Sequence, residues 1–465
     1  MDGGDRLRAH GFVSPHPATS TDPGRAQRPG SCTARGPGLR ITAGAVTLCA
    51  AVALAAPQAR AADAPSYAFA AGARTVPGAT GTADAVRLAP GTTYRSTLSD
   101  AERTYYRLEL DDASSTYVSV TAVPRPGAPL DAGDGIRVSV QDADGLSCSS
   151  FDSATVGATG SPRPLTAWGA REVVADRSLC RTAGTYYVVV ERARPESASQ
   201  PWDLELAPVS EPPLARPGAT RAPGAWDSAT PAPPAGEAVD RPGGAGFATA
   251  AAVGPGAWRS RIVPGQTLFY VVPVGWGQQP DATVEIGSTG GRSADYVGAA
   301  LSLTLHNPVR AEVESAQTGY GGSQKSAALA PVPPVSYANR YAVSAPVNGM
   351  RFAGSYYLVV HLAAEVGEKF GDGPYGVVLR VGVRGSARPG PEYAGESVPR
   401  GMFGAGASGG PGGAGGHGGD LGLRVLAAGG IGTGSALLLG LAVWTVTARR
   451  RDAAQIRANA QNPTA

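Results

Sequence analysis

In short runs of this chain every second residue is apolar. Ile136, Val138 and Val140 alternate with polar neighbours, and so do Leu301, Leu303 and Leu305. A period of two places successive side chains on opposite faces of an extended strand. The runs are rich in Val, Leu, Thr and Tyr and are bounded by Gly, Pro, Asp and Ser, which punctuate strands. No capped amphipathic helix of three turns interrupts them. Regularly spaced short strands of this kind predict two packed sheets, an all-β sandwich.

The pattern occurs twice. Tyr94-Arg95-Ser96 is followed by Leu98, Glu102 and Tyr105-Tyr106, and Trp258-Arg259-Ser260 by Ile262, Gln266 and Phe269-Tyr270 at identical offsets. Pro90-Gly91 and Pro255-Gly256 stand just upstream. Further on, Ala183-Gly184-Thr185-Tyr186-Tyr187 and its Val run answer Ala353-Gly354-Ser355-Tyr356-Tyr357 and its Leu-Val-Val run. Each block closes on one more strand, around Trp202–Leu206 and Tyr375–Val381. The spacing predicts a tandem duplication, with sandwiches over 67–208 and 238–387. In each Gly-x-Tyr-Tyr strand one tyrosine faces the core and its neighbour faces outward. Pro212-Pro213 and Pro231-Ala232-Pro233-Pro234 mark residues 209–237 as an extended linker.

The ends follow a different pattern. Arg35 and Arg40 precede an uncharged apolar stretch, Ile41–Ala56, and the small-residue site Ala59-Arg60-Ala61. That order predicts a secretory signal over 1–61 with an extended n-region, cleaved between Ala61 and Ala62. At the other end Arg424 and Arg449 bracket 425–448, which carries no charge. A helix of that length spans about 36 Å, enough for a ~30 Å hydrocarbon core. Arg449, Arg450 and Arg451 form the stop-transfer cluster. Basic residues stay on the cytoplasmic side, so the ectodomain is expected outside and the tail 449–465 inside. Gly430 with Gly434, and Ala436 with Gly440, are small-residue pairs that could bring two such helices together as a homodimer. Residues 388–424, dominated by glycine, read as a flexible tether between the second sandwich and the membrane.

Several motifs together carry a resemblance. A Pro-Gly start with an aromatic pair, the turn Asp142-Ala143-Asp144-Gly145 and the run Gly184–Val190 together resemble the bacterial pre-peptidase C-terminal domain. The likeness covers residues 80–207 well and 245–383 more loosely, His306-Asn307-Pro308 replacing the acidic turn. It implies β-sandwich modules that accompany secreted peptidases and surface proteins as binding or processing appendages. Two such units with one membrane helix also resemble actinobacterial surface proteins.

Composition narrows the function. Only Lys325 and Lys369 are lysine among 40 basic residues, a coding bias rather than a nucleic-acid signal. Residues 62–424 hold 29 basic and 33 acidic side chains, a net of −4, so the overall +3 comes from the two ends. No basic stripe predicts nucleic-acid binding. Cys32 and Cys49 leave with the leader, and Cys148 and Cys180 remain in an oxidising compartment. A disulfide between them closes a loop worth about 3–3.5 kcal/mol on the chain-entropy view.

Catalytic patterns fail. Gly406-Ala407-Ser408-Gly409-Gly410 matches a nucleophile elbow but sits in low-complexity glycine, not on a strand-to-helix turn. His306, His361 and His417 are widely spaced, and neither a zinc nor a phosphate-loop motif is present. No cofactor is implied. Asp131, Asp134, Asp142 and Asp144 are oxygen donors of the kind calcium takes, yet aspartates at turns also bind their own backbone. Of Trp168, Trp202, Trp258 and Trp276, the last has no counterpart in the first unit and is the expected exposed ring. The expectation is a non-enzymatic, membrane-anchored surface protein displaying two sandwiches to an extracellular protein or cell-wall polymer. An accessory subunit of a membrane-associated secretion or peptidase system is the alternative. A peptidase-like enzyme finds no constellation to support it.

Overall fold

The structure, a computed structural model, describes residues 67–404 apart from 100–102, 126, 158–159, 175–177, 195–199 and 290–294. The expected leader with its Ala61–Ala62 cleavage site, the span 425–448, the Arg449–Arg451 cluster and the Gly406–Gly410 match lie outside the described residues. Among the described residues no helix is long and apolar enough to cross a membrane.

Among the described residues ten strands build the first unit: β1 (Arg74–Thr75), β2 (Val86–Arg87), β3 (Tyr94–Leu98), β4 (Arg103–Leu110), β5 (Ser115–Val123), β6 (Gly135–Gln141), β7 (Asp152–Thr155), β8 (Leu165–Arg171), β9 (Gly184–Arg192) and β10 (Trp202–Glu211). Ten more build the second: β11 (Val239–Asp240), β12 (Ala251–Ala252), β13 (Gly256–Ile262), β14 (Thr267–Val274), β15 (Gln279–Ile286), β16 (Val297–His306), β17 (Glu312–Tyr320), β18 (Lys325–Ala328), β19 (Gly354–Leu362) and β20 (Tyr375–Arg384). The helical additions, α1 (Ala345–Gly349) and α2 (Glu365–Phe370), are short and belong to the second unit.

The strand order of the first unit is β1-β3-β10-β5-β8 over β2-β4-β9-β6-β7, and of the second β11-β13-β20-β15-β18 over β12-β14-β19-β16-β17. Adding ten to each strand number converts one into the other. The duplication therefore includes the short strands that precede Pro90-Gly91 and Pro255-Gly256. β1 and β11 each run parallel to the strand two later, as do β2 and β12, and the other ladders are antiparallel.

Alternation fills the two cores as expected. Val118, Val120, Ala122, Leu204 and Leu206 meet Ile136, Val138, Val140, Val188 and Val190 in the first. Leu301, Leu303, Leu305, Leu358 and Val360 meet Val284, Ile286, Leu379 and Val381 in the second. Tyr186 and Tyr356 point inward, and each donates its hydroxyl to the carbonyl four residues upstream, Thr182 and Phe352, at 2.7 Å. The preceding glycines, Gly184 (φ 152°) and Gly354 (φ 147°), take backbone angles that side chains disfavour. A Cβ on Gly354 would also stand 2.5 Å from the Met402 carbonyl oxygen. Cys148 and Cys180 are joined by a disulfide that closes a separation of 32 residues on the first sandwich, with no counterpart in the second.

The outer faces are less regular, because two of them meet. Every residue of β5 except the last is buried, although only alternate ones face the first core. Tyr117, Ala170 and Val209 from the first sandwich pack on Val309, Ala311, Phe352 and Phe403. Beside them Tyr67, Phe247, Phe269, Val271 and Tyr357 form a second apolar cluster, with Phe69 and Val123 against it. Strands buried on both faces lose the freedom to alternate, and here the two sandwiches become one compact unit.

Two expected boundaries change in consequence. Residues 388–404 do not begin the tether but form a strap. Val398 pairs with Ser210 at 2.7 and 2.9 Å, Leu214 bridges Tyr393, and Phe403 is buried 5.0 Å from Phe352, ring centre to ring centre. The linker likewise begins inside the interface, since β10 runs to Glu211. Apolar side chains at 398 and 403 account for this, since they give the segment something to bury.

Candidate functional site

Among the described residues three ion pairs cross between the sandwiches, and in each the glutamate comes from the first and the arginine from the second. Glu211 at the end of β10 takes both terminal nitrogens of Arg340, at 2.8 and 3.3 Å. It also accepts the hydroxyls of Tyr117 at 2.8 Å and Tyr393 at 2.9 Å. Glu205, fully buried on β10, accepts from Tyr67 at 2.9 Å, the Ala70 amide at 2.9 Å and Arg310 at 2.7 Å. Glu172 meets Arg351 at 2.6 Å, and the Arg351 guanidinium lies 5.4 Å from the rings of Tyr117 and Trp168. Burial, with Glu211 alongside, holds the Tyr117 phenol well above its ordinary pKa, and burial with Glu205 does the same for Tyr67. Both phenols stay protonated and act as donors to the carboxylates. Buried charges without partners are expensive; here Glu211 accepts four hydrogen bonds and Glu205 three, and Glu172 faces the Arg351 guanidinium.

The loop that supplies Arg310 is the His306-Asn307-Pro308 segment which replaces the acidic turn. Asn307 closes it, accepting the amides of Val309 and Ala311 at 3.1 Å and donating to the Gly349 carbonyl at 3.0 Å. Arg310 itself takes a left-handed φ of 63°, uncommon for any residue but glycine, and from there pairs with Glu205. In the first unit the matching turn stays local. Asp142 accepts the amides of Asp144 and Leu146 at 3.1 and 2.8 Å, and Asp134 accepts that of Asp131 at 2.8 Å. Among the described residues no group of three or more metal-ligating side chains is gathered.

One pair in this interface has the geometry of a nucleophile and its base. Ser161 Oγ lies 3.1 Å from His361 Nε2, and Thr267 Oγ1 lies 3.0 Å from His361 Nδ1. The chemistry does not follow. Both residues are buried, Ser161 Oγ already accepts the Ala364 amide at 2.9 Å, and the orienting position holds a threonine instead of a carboxylate. Burial, with Arg163 alongside, pulls the imidazole down to about 3, too weak a base to activate a hydroxyl. His361 is a structural bridge between the sandwiches.

The tryptophans fall differently from expectation. Trp276 is buried at 6% exposure in the second core, because the strap folds over it: Gly390 packs on its indole edge and Arg388 donates its amide to the Trp276 carbonyl at 2.8 Å. Trp202 is also buried, while Trp168 and Trp258 are half-buried. The half-buried ring that borders open space is Trp226, in the linker.

Trp226 forms part of an open groove of about 960 Å³ with three walls. The linker around Trp226 is one, the loop 333–347 carrying Tyr337 and Tyr341 is the second, and the strap at 388–391 is the third. Gln279 ties the first two, its amide donating to the Asp227 carbonyl at 3.1 Å and to Val332 at 2.7 Å. Asn339 pins the one-turn 3-10 helix Tyr337–Tyr341 through the Pro334 and Met350 carbonyls at 3.0 and 2.8 Å. The same turn sends Arg340 inward to Glu211, its guanidinium carbon 3.4 Å from the centre of the Tyr337 ring. Thus the groove's aromatic wall is anchored on the ion pair that joins the sandwiches. Sequence reading misses Trp226, Tyr337 and Tyr341, since no periodicity or motif connects three separate loops.

No family model matches the chain, and no curated protein matches it. Among solved structures it is similar to the CBM22-1–CBM22-2 tandem domain of Paenibacillus barcinonensis Xyn10C, at 12% identity over 64% of this chain and 93% of that one, with a TM-score of 0.17. It is similar to tripeptidyl peptidase 2 at 9% identity and a TM-score of 0.20, over 64% of this chain and 24% of that one. The CUB1-EGF-CUB2 segment of human MASP-1/3 gives 8% identity and a TM-score of 0.14, over 62% of this chain and 99% of that one. At these TM-scores the likenesses carry no functional argument.

Proposed function

We propose that this is a non-catalytic extracellular binding protein, held at the cell surface by a single membrane-spanning helix, whose two joined sandwiches present one groove to an extracellular protein or cell-wall polymer. The observation that carries the reading is the groove itself. Its three walls are pinned by hydrogen bonds and its rings border open space, so it is shaped before any ligand arrives. The disulfide suits an oxidising compartment, and the leader and stop-transfer patterns suit export with retention. Co-sedimentation of the full chain, kept soluble in detergent, with lipid-stripped cell envelopes tests it, since no membrane is then present to retain the chain by its helix. Retention by the wild type and its loss in Trp226→Ala is the expected result. Equal retention of both would remove the groove from the function.

A further inference from the structure

Resting on that reading of the groove, the chemistry of its walls selects among ligands. None of its lining residues belongs to a β-strand, so an incoming peptide cannot be read by strand addition. Recognition must use side-chain surfaces. Those surfaces are prolines and aromatic rings, with Pro333, Pro334, Pro389 and Pro391 between Trp226 and the two tyrosines. Only Asp227 and Arg388 carry charge, and Asp227 lies 3.8 Å from Arg384. The groove is close to neutral, and an anionic wall polymer would find no matching field there.

Among the described residues the Tyr337 and Tyr341 hydroxyls and the Trp226 indole N–H meet no hydrogen-bond partner, so each ring brings one unspent donor. Burial, partly offset by Arg340, raises the Tyr337 phenol to about 12, so it remains a donor throughout the physiological range. A neutral glycan offers many hydroxyls that need both donors and acceptors. Here Asn339, the wall's side-chain amide, has already committed its nitrogen to the Pro334 and Met350 carbonyls. Flat apolar rings with a sparse set of donors match a different ligand. A polyproline II chain has no internal hydrogen bonds, carries outward carbonyls every ~3.1 Å, and loses little entropy on docking.

We infer that the groove binds an extended, uncharged, proline-rich peptide segment, its rings packing on Trp226 and Tyr341 and its carbonyls accepting from the aromatic donors. Titration calorimetry of the full chain with blocked decaproline, and in parallel with a neutral chitin oligosaccharide, tests this. Decaproline should bind, and Trp226→Ala and Tyr341→Ala should each weaken it about tenfold or more, as truncation of an aromatic anchor does. Tyr341→Phe, which keeps the ring and removes only the donor, should weaken it by a few-fold, and all three variants should melt like the wild type. Binding of the oligosaccharide instead, with the same dependence on Trp226, would overturn the peptide inference and leave the binding function standing. Binding of neither probe, together with envelope retention that ignores Trp226→Ala, would overturn both. Decaproline binding that survives both alanine variants places the peptide elsewhere and also defeats the inference.

Discussion

By register, the outer face of β4–β9 and the outer face of β14–β19 are one surface in two copies, with opposite fates. In the first sandwich Tyr105 stands opposite Val189 and Arg107 opposite Tyr187; in the second Phe269 stands opposite Val359 and Val271 opposite Tyr357. The first face stays half-exposed and polar, laced by Arg103–Glu191 and Arg107–Glu109. The second is buried under Tyr67 and Phe247, where the first copy has Thr82 in place of Phe247. Across this face Arg103, Tyr105, Arg107, Glu109 and Glu191 of the first copy stand where the second has Thr267, Phe269, Val271, Pro273 and His361, and Phe247 lies over it; the exchange turns a solvated sheet into an interface. The buried-area rule explains the direction: three apolar positions on one face give a partner sheet something to cover, and a charged centre does not.

The largest effect expected from breaking this arrangement is at the ion pairs. Arg340→Ala would leave Glu211 buried with only its tyrosine donors, at a cost of about 3–5 kcal/mol. Chemical denaturation of the full chain should then show an earlier, broader transition as the sandwiches separate. Arg340→Ala combined with Glu211→Ala should recover part of the loss. A double variant no more stable than the single would mean that the pair is not coupled.

The tyrosines sharpen the contrast between the copies. In the first sandwich the Tyr186→Ala change should cost ~3–5 kcal/mol through lost burial and a cavity, and Tyr187→Ala should be close to silent. In the second, both Tyr356→Ala and Tyr357→Ala should be strongly destabilising, since Tyr357 is 7% exposed beneath the interface. Equal tolerance of Tyr187→Ala and Tyr357→Ala in thermal melts would show that the second outer face is open in solution.

A smaller effect separates the copies by pH. Burial holds His361 at about 3, so the unfolded chain takes up a proton between about 6.5 and 3 that the folded chain refuses. Stability from this residue is therefore lost as pH falls through that window. Asp152 acts the other way. Burial raises it to about 6, the folded chain binds the proton first, and stability rises as pH falls from about 6 to 3.8. His361 is displaced further, so it should dominate. Melting temperature should drop by a few degrees from pH 7 to pH 4, and His361→Asn should flatten the slope. An unchanged slope in that variant would assign the acid sensitivity to other groups.

The inner faces of both sandwiches were legible in the sequence because alternation reports which residues share a core. The duplicated offsets were legible for the same reason, and so was the disulfide, from compartment and cysteine count. Outer faces were not. Glu205 and Glu211 occupy outward positions of a strand, where glutamate ordinarily meets water, and their arginines lie 105 and 129 residues away. Trp276 was misread because its burial depends on the strap, a segment whose glycines suggest only a tether. Nor can periodicity find a groove assembled from three irregular loops.

The sandwiches meet through unlike faces: the β5–β10 side of one copy lies against the β14–β19 side of the other. Two copies joined by like faces would form a closed, self-complementary pair in which either could take the other's place. This contact is heterologous, so it gives the pair a polarity. Exchanging the copies along the chain would present Arg107 where Val271 now closes the apolar cluster, and β20, with Val378 and Arg384 at the positions of Glu205 and Glu211, would have no glutamates to offer in return. Each copy has thus become committed to its own position, and after duplication neither could drift toward the other's sequence without undoing the joint.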